Sequence, residues 1–92
     1  MVRTQVMIVL ATAYCLQGHT FLGTQVQPGD LAVDPRVVPL RSRVLIHGLM
    51  YRAQDTGADI QGNRIDVYMH DCDAAQRYGV RKIVVRVLKG KR

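Results

Sequence analysis

Aromatic residues are scarce in this sequence, which has one Phe and no Trp among 92 residues. The core must therefore be built from Val, Ile, Leu, Met and Ala side chains. Apolar residues make up 48% of the chain, and the length predicts a single domain over residues 1–92, with its core over about 5–88. Because small domains bury a smaller fraction of their surface than large ones, a further covalent constraint would help this one.

Long apolar runs are also missing. No run approaches the roughly 20 residues of a membrane span, so we predict no membrane insertion. Residues 1–13 mimic an export signal with a small-residue cleavage site, but their apolar part is too short, and the same segment fits a β-strand. We therefore expect a mature or excised domain whose export signal is not present in this chain.

Acidic residues are outnumbered by basic ones, 7 against 13, which gives a net charge of +6. A basic surface favours an anionic partner, such as nucleic acid, anionic lipid or an acidic cell-wall polymer. A basic tail over 89–92 carries part of the charge, and such tails are most often only solvated. Tyr78 is the one aromatic residue near it, so the stacking surfaces of single-strand binders are missing and we predict no nucleic acid partner.

Only two cysteines occur, Cys15 and Cys72. They could form a disulfide in an exported protein or remain free thiols in the cytosol, and the sequence leaves both states open. A bridge across so long a loop would contribute roughly 3–5 kcal/mol in the chain-entropy model.

A possible metal site lies at 70–73, where His, Asp and Cys provide ligand types that suit zinc. The spacing matches no closed site, however, and the other candidate ligands, Cys15, His19 and His47, are distant in sequence. We therefore predict no metal and no cofactor, and assign the aspartates of this segment to a helix cap.

β-branched residues dominate the apolar segments and favour strands. A short helix is predicted over 73–78, capped by Asp71 or Asp73 and ended by Gly79 in the left-handed conformation. Because closure removes exposed edges, six strands and one helix favour a small closed β-barrel over a sandwich. The predicted strands cover residues 5–14, 31–33, 43–47, 49–54, 65–69 and 81–88.

Three aspartates stand in distinctive local sequences: Asp34 in Val-Asp-Pro, Asp55 in Gln-Asp-Thr-Gly and Asp66 in Arg-Ile-Asp-Val-Tyr. Carboxyl groups gathered at one spot form either an acid/base site or a polar clasp for loops. Clustered carboxylates raise one another's pKa, and the apolar neighbours of Asp66 act in the same direction. A single Asp-Thr-Gly would need a dimer to act as an aspartic protease, which disfavours that function.

These motifs resemble the three-aspartate, or 3D, domain family. The same core occurs in A-type membrane-bound lytic transglycosylases and in stationary-phase cell-wall hydrolases of spore-forming bacteria. The resemblance covers about residues 11–88, and its most specific motifs are Ala-Gln-Asp-Thr-Gly at 53–57 and Arg-Ile-Asp-Val-Tyr at 64–68. Further matches lie at 12–14, 32–35, 38–40, 60–62 and 78–79. One departure is Arg41, which stands where the family usually has glycine and allows that loop another conformation.

The resemblance implies a six-stranded double-psi β-barrel with one short helix and a groove across it. The implied activity is lytic cleavage of the MurNAc-GlcNAc bond of peptidoglycan without water, which leaves a 1,6-anhydroMurNAc end. Asp66 would be the catalytic acid and Asp55 its orienting partner. The substrate-binding residues implied are Asp34, Thr12, Thr56, Gly57 and Tyr68. We expect a monomer that is secreted or associated with the cell wall and has peptidoglycan glycan strands as its partner.

One carboxyl group can serve both steps of such a reaction, first as acid and then as base. Ordinary glycoside hydrolases instead need two carboxyl groups at defined separations. Two rival interpretations stay open at this point. One is a non-catalytic barrel that binds wall glycan or protein and uses its aspartates as clasps; the other is a nucleic-acid-binding barrel driven by charge alone.

Overall fold

Apolar residues that alternate along six strands build a closed barrel. The computed structural model describes residues 3–89. Its elements, in chain order, are β1 Arg3–Tyr14, β2 Asp30–Val33, β3 Arg43–Ile46, β4 Leu49–Asp55, β5 Arg64–Tyr68, α1 Cys72–Tyr78 and β6 Arg81–Lys89. The mainly β, six-stranded double-psi barrel with one short helix that the sequence predicted is confirmed. Of the predicted basic tail, Lys89 belongs to β6 and the rest lies outside the described residues.

The strands close in the order β1-β5-β2-β4-β3-β6. Two pairs are parallel, β1 with β5 and β2 with β4, and the other four are antiparallel. Parallel partners need crossover connections rather than tight turns, so the chain passes over the barrel ends. The interior is filled by aliphatic side chains, most of them small or β-branched: Val9, Ala11, Leu31, Val33, Val38, Val44, Ile46, Ala53, Ile65, Val67, Val85 and Val87.

The hairpin between β3 and β4 turns on two residues. His47 and Gly48 have φ of 50° and 80°, the positive values that a two-residue hairpin turn of the primed type requires. The predicted strand over 43–47 therefore ends one residue earlier, at Ile46.

Helix α1 begins one residue before its predicted start, and Asp71 is its N-cap. The Asp71 side chain accepts hydrogen bonds from the N–H groups of Asp73 and Ala74. Gly79 ends the helix with φ of 66°, but its ψ of −143° differs from the left-handed helical conformation we predicted. Among residues 3–89 there is no helix with the length and apolar character that crossing a membrane requires.

Arg41 lies in the left-handed region, with φ of 73°. Its backbone N–H donates to the Ala53 carbonyl at 2.8 Å, which holds the loop against β4. The arginine thus adopts a backbone conformation that favours glycine, at a cost of about 1–2 kcal/mol.

Charge is divided between the two halves of the barrel. The three adjacent strands β3, β6 and β1 contain no acidic residue. The cationic residues of these strands are Arg3, Arg43, Arg81, Lys82, Arg86 and Lys89. The aspartates of the barrel strands lie on the opposite half, in β2, β4 and β5. The barrel is therefore cationic on one side and carries its carboxyl groups on the other.

Candidate active site

The strand register gathers two of the predicted aspartates in one row on the outer face of the sheet. Asp66 of β5 pairs with Thr12 of β1 on one side and with Ala32 of β2 on the other. Ala32 in turn pairs with Asp55 of β4. Residues in register share a face of the sheet, and this face is the outer one because Ile65, next to Asp66, is in the core. Two strand spacings, about 10 Å, separate the backbones of the two aspartates, and the small Ala32 lies between them.

A β-bulge decides which side chain of β4 enters this row. Leu31 pairs with Ala53, but the next pair is Ala32 with Asp55, so Gln54 is passed over. Strict alternation after the buried Ala53 would have turned Gln54 outward and Asp55 inward. The bulge therefore re-aims the Asp55 carboxyl group onto the outer face.

Asp66 is partly buried and accepts a hydrogen bond from the Thr12 hydroxyl at 2.9 Å. Burial raises the pKa of its carboxyl group, and the negative charge of Asp55 raises it further. The Thr12 hydrogen bond and the Arg64 guanidinium act in the opposite direction, and the net pKa remains above that of an ordinary aspartate. Such a group stays protonated to higher pH, which is what a general acid requires.

Asp55 is held by three donors from different parts of the chain. Its Oδ1 accepts the backbone N–H groups of Phe21 and Thr56, each at 2.9 Å. Its Oδ2 accepts the Tyr14 hydroxyl at 3.4 Å. Burial, followed by the charges of Asp55, Asp66 and Asp30, raises the pKa of Tyr14, so its hydroxyl stays a donor.

Asp34 differs from the other two predicted aspartates in its burial and in its hydrogen-bond partners. Its side chain is 4% exposed, although the Arg36 guanidinium that covers it is 77% exposed. Oδ1 accepts from the backbone N–H and the Nε of Arg36, and Oδ2 accepts from another guanidinium nitrogen and from the Gly62 N–H at 2.8 Å. The Arg36 side chain and these backbone donors hold the pKa of Asp34 well below its usual range. Its predicted substrate-binding part stays a prediction.

The remaining predicted residues border the row. Thr56 supplies a backbone N–H to Asp55, and Gly57 is so close to Ile60 that an added Cβ would lie 3.0 Å from the Ile60 side chain. Tyr68 is 3% exposed, and its ring packs edge-on against Tyr14 with centroids 5.4 Å apart. The substrate contacts predicted for these residues likewise stay predictions.

Sequence reasoning overlooked Tyr14, Arg64 and Asp30. Tyr14 lies two residues after Thr12 in β1, and Arg64 lies two residues before Asp66 in β5. Residues two apart in a strand share a face of the sheet, and this spacing could have identified both. Arg64 Nε is buried and has no hydrogen-bond partner within residues 3–89. Asp30 lies just outside the strand predicted over 31–33, but it begins β2, is 1% exposed and pairs with Arg52 at 3.2 Å.

The two cysteines are joined by a disulfide, with Cα atoms 5.1 Å apart. It ties the end of β1 to the start of α1. Two of the ligands considered for zinc are therefore bonded to each other. Within the part of the chain that the structure describes, no three His, Cys or acidic side chains lie close enough together to hold a metal ion.

The model of the 3D domain family matches residues 30–89, which span β2 to β6. The chain belongs to the 3D domain family. The motifs at 53–57 and 64–68 lie inside the match, so the resemblance on which the fold was predicted is confirmed. Thr12 and Tyr14 lie before it, and their place beside the aspartates comes from the pairing of β1 with β5.

Two curated relatives are similar over most of the chain, both from Bacillus subtilis (strain 168). "Putative cell wall shaping protein YabE" is 37% identical over 94 residues, which cover 91% of this chain and 23% of that protein. "Cell wall-binding protein YocH" is 38% identical over 90 residues, 87% of this chain and 31% of that protein. The chain thus spans less than a third of the length of each of these relatives.

Proposed function

We propose that this domain acts on the bacterial cell wall, cleaving peptidoglycan glycan strands as a lytic transglycosylase with Asp66 as its acid and base. The observation that carries the proposal is the position of Asp66, a partly exposed carboxyl group two strands from a second carboxylate, where burial raises its pKa. A general acid near neutral pH needs this combination of protonation and access. The family membership and the names of the two relatives support the choice of substrate.

In the proposed reaction the Asp66 carboxyl proton passes to the glycosidic oxygen as the bond from that oxygen to C1 of the muramoyl sugar breaks. The 6-hydroxyl oxygen of the same sugar then bonds to C1, and the Asp66 carboxylate accepts the hydroxyl proton. Asp66 ends as it began, no water is consumed, and a 1,6-anhydro end forms. One carboxyl group is sufficient because it acts as acid and base in turn.

The neighbouring side chains have supporting parts in this proposal. Thr12 fixes the Oδ1 atom of Asp66 by its 2.9 Å hydrogen bond. Asp55 adds negative charge that helps keep Asp66 protonated and would stabilise positive charge at C1 in the transition state. Its position depends on Phe21, Thr56 and Tyr14.

We assign Asp34 a structural part instead. All four of its hydrogen bonds come from Arg36 and Gly62, so both carboxylate oxygens are occupied within the protein. It joins the segment after β2 to the turn before β5.

Digestion of purified sacculi tests the function. Wild-type protein should release 1,6-anhydro muropeptides that mass spectrometry identifies, and Asp66→Asn should release none while keeping its circular dichroism spectrum. Asp73→Asn is the matched control, because it makes the same chemical change on an exposed residue of α1. Anhydro products from Asp66→Asn at the wild-type rate would refute the assignment.

The second candidate is a wall-binding module without catalysis, which is favoured by the name of the relative YocH, a cell wall-binding protein. It predicts co-sedimentation with sacculi but no anhydro product from any variant. Under this second function the cationic half of the barrel, β3-β6-β1, would face an anionic wall, whereas catalysis would need the carboxyl-bearing half to face the glycan. Because salt screens exposed charges, sedimentation should weaken several-fold between 0.05 and 0.5 M NaCl, roughly as the Debye length shortens. Unchanged sedimentation would argue against this docking face, and a steep salt-dependent shift with DNA or RNA would favour a nucleic-acid barrel.

A further inference from the structure

A cavity of about 310 Å³ lies beside the carboxyl row, between the segment 15–29 and the end of β5. Exposed polar side chains surround its buried floor of Val26 and Tyr68. The polar side chains are Gln17, Gln25, Gln27 and His70, and we call this cavity the glutamine pocket. We propose that the glutamine pocket binds an uncharged, N-acetylated hexosamine unit of the glycan. The proposal rests on the proposed action on peptidoglycan and extends the site by one sugar position.

The side-chain amides of the pocket are free to bind a ligand. Within residues 3–89, the glutamine side chains that form hydrogen bonds are those of Gln5, Gln54 and Gln61. The three glutamines of the pocket are not among them. Each amide presents both a donor and an acceptor, which suits the hydroxyl and acetamido groups of such a sugar.

The lining also limits the chemistry of the ligand. Among residues 3–89, no Lys, Arg or aspartate side chain lines the pocket, and His70 is the only lining side chain that can carry a positive charge. A carboxylate or phosphate would find no permanently charged Lys or Arg here, so the pocket favours a neutral sugar unit over the charged peptide stem or an anionic polymer. Its volume is at the lower end of the range for ligand sites, which fits one sugar unit rather than several.

Direct contacts connect the pocket to the carboxyl row. The Tyr68 ring in the floor packs against Tyr14, whose hydroxyl donates to Asp55. The segment 15–29 contributes both the glutamines and the Phe21 N–H that holds Asp55. A glycan strand with one sugar at the aspartates would thus place a neighbouring sugar near the pocket.

The pocket wall is fixed at both ends before any ligand binds. Cys15 is tied to α1 by the disulfide, and the Arg52 N–H donates to the Gly29 carbonyl at 2.7 Å. A rigid wall reduces the entropy lost on binding.

Amide NMR titration of the full chain carrying Asp66→Asn tests the proposal without consuming the probe. The probe is chitotetraose, the β-1,4 tetramer of N-acetylglucosamine, and cellotetraose is the matched sugar without acetamido groups. We expect shifts centred on residues 17–28 and 68–70, and a Kd for chitotetraose at least about tenfold lower than for cellotetraose. The double variant Gln25→Ala/Gln27→Ala should raise that Kd about tenfold or more, a loss of roughly two amide hydrogen bonds.

Gln76→Ala is the control, because Gln76 is an exposed glutamine on α1 away from the pocket. Absence of chitotetraose binding, equal binding of cellotetraose, or an unchanged Kd in the double variant would overturn the proposal. Failure of the two proposals is distinguishable. Binding at the pocket without anhydro products from sacculi would reject only catalysis, while products with no effect of the glutamine variants would reject only the pocket.

Discussion

Asp34 and Asp66 are the same residue in the same small barrel, yet their surroundings are opposite. Asp34 receives four hydrogen bonds from N–H groups and guanidinium nitrogens, and its pKa is lowered. Asp66 receives a side-chain hydrogen bond from Thr12, lies near the charge of Asp55, and has a raised pKa. A carboxylate with saturated oxygens stabilises the fold, whereas one that is buried without enough donors is a candidate for chemistry.

Activity gives the largest expected contrast between the two residues. Asp66→Asn removes the group that donates and then accepts a proton in the proposed mechanism, so the rate of anhydro-muropeptide release should fall at least about 100-fold. Asp34→Asn, compared at equal concentrations of folded protein, should stay within a few-fold of wild type. Initial rates on purified sacculi measure both. Equal losses in the two variants would remove the functional distinction between them.

Stability at neutral pH should shift in opposite directions in the same two variants. The lowered pKa of Asp34 contributes stability above the ordinary carboxyl pKa, and this contribution is lost as pH falls through the folded-state value. Asp34→Asn should therefore have a lower Tm than wild type at pH 7, and the difference should shrink in acid. Thermal unfolding followed by circular dichroism at several pH values provides the measurement. A Tm equal to that of wild type at pH 7 would show that the clasp is dispensable.

The raised pKa of Asp66 predicts the opposite change in stability with pH. The folded protein holds this proton more tightly than the unfolded chain, so stability falls as pH rises from the ordinary pKa through the folded value. The Asp66→Asn variant has no charge to bury at this position, so its Tm should be higher than that of wild type at pH 7. The difference in Tm should shrink in acid. The same melting series measures it, with Asp73→Asn as the exposed control. A lower Tm for Asp66→Asn would mean that the carboxylate is a structural clasp after all.

Arg41 offers the smallest and most specific effect, in the loop that follows Asp34. Because Arg41 has φ of 73°, Arg41→Gly should relieve backbone strain of about 1–2 kcal/mol. Glycine also has more conformational freedom in the unfolded chain, which lowers the free energy of unfolding by about 0.5–1 kcal/mol. The net gain in the free energy of unfolding, measured with urea, should be at most about 1.5 kcal/mol, with activity unchanged. Arg41→Ala keeps the strain and should show no such gain.

The sequence predicted most of the fold because its signals are local. Alternating β-branched runs identify the six strands, and Asp71 and Gly79 bound the helix. The errors lie at ends and turns: β3 stops before His47, whose positive φ belongs to the hairpin, and Asp30 begins a strand although Pro28 and Gly29 precede it. At these positions pairing with a distant strand, rather than local preference, determines the backbone.

The sequence predicted which residues belong to the candidate site but not how they are arranged. Motifs of the 3D domain family identify Asp34, Asp55 and Asp66, and no local pattern separates them. Only the tertiary structure divides them, because the bulge after Leu31 places Asp55 beside Ala32 in the row of Asp66, while Arg36 and Gly62 enclose Asp34. Strand register and long-range hydrogen bonds depend on residues far apart in the chain. The sequence by itself therefore determines which carboxyl groups are present, and the closed barrel decides how each of them is buried and hydrogen-bonded.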